Sequence, residues 1–193
     1  EKAFDLLKEV AFESKLDNKK RLKEIIGQIY TNLKITLTET GHKSAANRAM
    51  SYFSEYAAYR EAIQGITMYE TVKKWYEDFD EEYDNIVNGL KEAAKMIFEK
   101  QNMTISYTGK EEAEFMKAEV ESFIEGLYED QKQGEKVKVT CTKSNEGFAT
   151  AGGVQYVACA GNFKDAGLEY TGALKVLQMI FSYEYLWIQI RVK

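Results

Sequence analysis

Apolar positions along the first hundred residues recur at three and four, the spacing that places them on one face of a helix. Phe4, Leu7 and Val10–Ala11 predict a first helix running to about Ser14. Asp17 is a candidate N-cap for the next, which carries Leu22, Ile25, Ile26, Ile29, Leu33 and Leu37 before Gly41 offers a stop. A further helical run from Gly41 to Gly65 combines small residues (Ala45, Ala46, Ala49) with Met50, Tyr52 and Phe53. Residues 66–79 are aromatic-rich, and 81–98 carry Ile86, Leu90, Ala93, Ala94 and Ile97 as a buried stripe.

The period then changes. Met103, Ile105 and Tyr107 alternate with threonine and serine, the pattern of a half-buried strand closed by Gly109. Helix returns over 110–128, with Met116, Val120, Phe123, Ile124 and Leu127 on one side, followed by a polar linker at 129–135. Two more strands are predicted at 137–142 and 154–160, then a long apolar helix from about Leu168 to Ile190. Its core candidates are Leu174, Leu177, Ile180, Phe181, Leu186 and Ile190. The order predicts an α+β protein, a mostly helical array with a few antiparallel strands.

Composition narrows the function classes. A net charge of −5 over 193 residues gives no electrostatic reason to expect nucleic acid or an anionic membrane as partner. No apolar run approaches the roughly 20 residues of a membrane span. The start, Glu1-Lys2-Ala3-Phe4, has no signal-peptide pattern and no initiator Met, so the expectation is a true start further upstream. Proline is absent, which removes one source of helix interruption. Two cysteines, Cys141 and Cys159, read as reduced thiols, in keeping with a reducing cytoplasm.

Candidate chemistry is sparse. The one histidine, His42, is followed by Lys43, Ser44, Ala45 and Ala46, so no ligand partner stands at helical spacing. A zinc site from His42, Cys141 and Cys159 would need three distant segments without paired spacing, and a structural role for each is favoured. The acidic cluster Glu77–Glu82 reads as a solvated helix face. Gly152-Gly153 and Gly161 fit neither a P-loop nor a dinucleotide fingerprint. Taken by itself, Arg191 reads as a surface or salt-bridged arginine. The motifs thus provide no self-contained active site.

The segments NEGFATAGGVQYVACAGNF and YTGALKVLQMIFSYEYLWIQIRVK carry a resemblance, joined upstream by KLDNKKRLKEII, GHKSAANRAMSYFS and NMTISYTG. Together they resemble the C-terminal half of the insulinase/pitrilysin-type zinc metallopeptidases, in their presequence-protease branch. The resemblance implies a clamshell of two-layer α/β domains, with residues 1–110 from the later part of the third and 111–193 from the first part of the fourth. It implies zinc in the full-length enzyme, bound by an N-terminal half absent here, with no cofactor or metal in this chain. It further implies that Arg191 contacts the substrate carbonyl as an auxiliary catalytic residue, its tyrosine partner falling beyond Lys193. The expected partners are that N-terminal half and unstructured peptide substrates, with self-association through an open sheet edge at 137–142 and 154–160. The expected location is a bacterial-type cytoplasm, or else an organelle. The rival reading is a non-catalytic helical scaffold or interaction module.

Overall fold

The computed structural model describes residues 2–110, 113–129, 138–150 and 153–192. Its helices are α1 (Lys2–Phe12), α2 (Lys19–Glu39), α3 (Gly41–Ser51), α4 (Glu55–Gln64), α5 (Ile66–Glu77), α6 (Phe79–Ile97), α7 (Lys117–Glu125) and α8 (Gly172–Ile180). Short 3₁₀ turns occupy Lys100–Asn102, Ala113–Met116 and Phe163–Ala166, and α8 continues in π-helical geometry through Phe181–Leu186 and Ile188–Val192.

Local chemistry sets several boundaries. Asn18, one residue past the expected Asp17, caps α2 by accepting from the Arg21 N–H at 3.0 Å. The run expected as one helix from 41 to 65 is divided because Ser54 takes extended geometry and caps α4, accepting from the Ala57 N–H. Gly41 does not stop α2 as expected: Thr40 is the joint, and Gly41 opens α3.

The core lies where α2, α5 and α6 meet. Ile26, Val72, Phe79 and Ile86 are buried together, flanked by Leu22, Tyr30, Leu33, Met68, Trp75 and Tyr83. Tyr30 stacks on Tyr76 with ring centroids 5.0 Å apart, and Gly27 permits the approach, since a Cβ there would stand 3.2 Å from the Tyr76 ring. A second, aromatic cluster joins α1 to α7: Phe12 meets Phe98, Phe123 and Tyr128 at centroid separations of 6.2, 5.9 and 6.4 Å. Leu127 is buried alongside.

The α+β expectation is overturned. Among the described residues there is no strand and no sheet; the one ladder contact is an isolated parallel bridge between Glu99 and Tyr128. The fold is all-helical. The segments expected as strands at 103–108, 138–142 and 154–160 are irregular. Val137, Gly152 and residues 130–135 of the expected linker lie outside the described residues. Alternation specifies which side chains share a face, but a strand also needs a neighbour for its N–H and C=O groups. No described segment supplies one, so the expected open sheet edge, and self-association through it, lose their premise.

The C-terminal helix also departs from expectation. Leu177, Ile180, Phe181, Leu186 and Ile190 are core candidates by spacing, yet all five are exposed, and Leu174 is half-buried. Helical periodicity is satisfied there, but no described element covers the apolar face. Among the described residues no helix is long and apolar enough to cross a membrane.

Candidate functional site

Arg191 lies in the π-helical stretch Ile188–Val192, and its side chain is outside the described residues. His42 is exposed, with its ring 5.8 Å from that of Tyr156. Cys141 and Cys159 are free thiols, half-buried and exposed respectively. No group of three or more His, Cys, Asp or Glu side chains among the described residues is placed to hold a metal ion.

The structure assembles a different constellation, around Arg48. α3 packs against α4, which brings Arg48 against Glu61, whose side chain is 5% exposed. Arg48 Nη1 donates to Glu61 Oε2 at 2.9 Å and to Thr67 Oγ1 at 3.1 Å. The other side of the guanidinium meets Glu146 in a bidentate pair, Nε to Oε2 and Nη2 to Oε1, both 2.9 Å. Four of the five guanidinium N–H donors are thereby used.

Glu61 has a second task. It accepts from the Thr67 N–H at 3.0 Å and the Thr67 hydroxyl at 2.7 Å, satisfying an orphan donor in the first turn of α5. Negative charge there also complements the positive end of the helix dipole. The α4–α5 joint must be tight for this: a Cβ on Gly65 would stand 2.6 Å from the Glu61 carbonyl oxygen. Ser51, itself buried, returns its hydroxyl to the Arg48 carbonyl at 2.6 Å.

The electrostatics follow from these contacts. The hydrogen bonds from Arg48 hold the Glu146 carboxyl below the ordinary glutamate range, and the Glu146 pairing holds the Arg48 guanidinium even more firmly protonated. Partial burial raises the Tyr52 phenol. A guanidinium so fully engaged is a tether between α3, α4, α5 and the 144–148 segment. It has little left to offer a substrate oxygen.

Nothing in the sequence marked Arg48, Glu61 or Glu146, because the partners stand 13 and 98 residues from the arginine.

Residues 1–75 match a family described as associated with the peptidases of family M16, subfamily C. Protein HypA of Clostridium perfringens (strain 13 / Type A) is 35% identical over 193 residues, all of this chain and 20% of that protein. Presequence protease 1, chloroplastic/mitochondrial, of Arabidopsis thaliana is 25% identical over 195 residues, 98% of this chain and 18% of that protein. The chain therefore spans about a fifth of the length of the curated relatives it matches. No solved structure gives a significant match. These similarities agree with the peptidase resemblance at the family level, and a 25% match does not single out one branch.

Proposed function

We propose that the chain is a segment of the non-zinc-binding C-terminal half of an M16-type metallopeptidase, in which it forms chamber wall and contributes Arg191. The alignment of 98% of the chain with a presequence protease carries the reading. The exposed apolar face of α8 and its continuation is consistent with it, since the apolar face of an amphipathic helix is stable when other structure covers it. In this reading residues 1–110 belong to the third peptidase-like domain of the parent enzyme and 111–193 to the fourth. The parent acts on unstructured peptides small enough to be enclosed, in a bacterial-type cytoplasm or an organelle.

The described side chains do not fit a zinc ion: His42, Cys141 and Cys159 do not converge, and no other ligand group replaces them. Zinc belongs to the partner half, and nothing in this chain is assigned to holding it. The role of Arg191 is electrostatic. When a peptide carbonyl is attacked, negative charge develops on its oxygen, and a guanidinium aimed at that oxygen in a water-poor chamber stabilises it.

The decisive experiment uses the full-length parent enzyme. Arg191→Ala should lower kcat/KM on a quenched fluorescent peptide by about 10²–10³, the range for loss of one oxyanion donor, while zinc content stays the same. Kinetics within twofold of wild type would remove the role.

A further inference from the structure

The 98-residue span between Arg48 and Glu146 raises a separate question: what holds residues 143–148 against the helices? Among the described residues, no backbone–backbone hydrogen bond joins 138–150 to any helix. The attachment is made by side chains. Glu146 pairs bidentately with Arg48, Phe148 lies with the guanidinium 5.9 Å from its ring centroid, and Lys143 Nζ stands 4.6 Å from the Phe53 ring centroid. Beside this contact lies a cavity of ≈ 1130 Å³, bounded on one side by α2, α3 and α5 and on the other by residues 144–150 together with 153–158.

We propose that the face of α3 around Arg48 is a docking groove for an unstructured polypeptide carrying a glutamate followed two residues later by an aromatic. In this structure the chain's own Glu146-Gly147-Phe148 fills it. The occupant shows the groove's chemistry. A fork of N–H donors selects a planar carboxylate, which a point charge would not do. The guanidinium plane and Phe53 offer further contacts to an aromatic and a cation on either side. Glu61 pre-orients the arginine whether or not Glu146 is present, because its hydrogen bonds to Arg48 and Thr67 do not involve the segment. The groove is thus built by the helical array and is only borrowed by residues 143–148. A segment held by side chains alone, at an effective concentration on the order of millimolar, can be displaced by a competitor in trans. This inference is independent of the peptidase reading, since it uses neither Arg191 nor a partner half.

The test is fluorescence anisotropy with a labelled synthetic peptide of residues 142–150, Thr-Lys-Ser-Asn-Glu-Gly-Phe-Ala-Thr. Glu146→Ala in the 193-residue chain removes the carboxylate from the Arg48 fork while leaving the Lys143 and Phe148 contacts, and should tighten peptide binding by about tenfold or more, equivalent to removing a cis competitor of about 1.4 kcal/mol. Replacing the peptide's glutamate by glutamine should weaken binding to that variant by about tenfold, and replacing its phenylalanine by alanine should weaken it severalfold. Equal affinity of wild type and Glu146→Ala for the peptide would overturn the proposal, as would equal binding of the glutamate and glutamine peptides. The peptide substitutions keep the test decisive even if Arg48 variants fail to fold.

Discussion

Glu61→Ala is the most informative perturbation of the helical array. The glutamate is 5% exposed and accepts three hydrogen bonds: Arg48 Nη1 at 2.9 Å, Thr67 N–H at 3.0 Å and Thr67 Oγ1 at 2.7 Å. Truncation leaves an amide donor in the first turn of α5 without its partner and leaves Arg48 half-compensated. Losing one partner of a fully buried ion pair costs about 3–5 kcal/mol. Here Arg48 keeps Glu146 and is 24% exposed, so water recovers part of that loss. The expected destabilisation is therefore about 2–3 kcal/mol. Glu61→Gln separates the two contributions. It keeps one acceptor oxygen, enough for the Thr67 N–H, but loses the charge and replaces the oxygen facing Arg48 with an NH2 donor, and should still cost less than Glu61→Ala. The assay is urea unfolding followed by far-UV circular dichroism, with a double-mutant cycle against Arg48→Met to isolate the pair. A cost below about 1 kcal/mol for Glu61→Ala, or a coupling energy near zero, would show that this cluster does not hold α3, α4 and α5 together.

Three further expectations rest on other contacts. Phe79→Ala, at a position 2% exposed where α6 enters the core, should cost about 3–5 kcal/mol in the same unfolding assay. Gly65→Ala should destabilise by more than about 1 kcal/mol, because the added Cβ would meet the Glu61 carbonyl at 2.6 Å, with Glu61 Cγ and Oε1 each 2.9 Å away; a neutral result would mean that the α4–α5 joint is looser than the geometry implies. The Arg48–Glu146 pair sets an acid limit. Its folded-state glutamate is held below the ordinary value of 4.5, so its stabilisation is fully present above that pH and is lost as pH falls through the lowered value. Stability measured from about pH 6 downward should therefore fall more steeply in wild type than in Glu146→Gln, and parallel curves would contradict the pairing.

Much of the helical array was legible in the chain because helices are satisfied locally. Their hydrogen bonds close within four residues, so the three-and-four spacing of Leu22, Ile26 and Leu33, or of Ile86 and its neighbours, suffices to locate them. Capping residues then divide the runs, although choosing Asn18 over Asp17 and recognising Ser54 as a start required the observed backbone. What sequence determined by itself was therefore element type wherever the bonding partner is nearby. Tertiary structure alone decided the rest. The alternating segments at 103–108 and 154–160 join no strand ladder among the described residues, because strands depend on distant neighbours that periodicity cannot identify. The apolar face of Leu177, Ile180 and Phe181 is exposed for the same reason: a pattern states what a helix would bury but not what arrives to cover it. The Arg48 cluster likewise exists only because three helices and a remote loop converge. Charge recognition acts through space, and spacing along the chain records none of it.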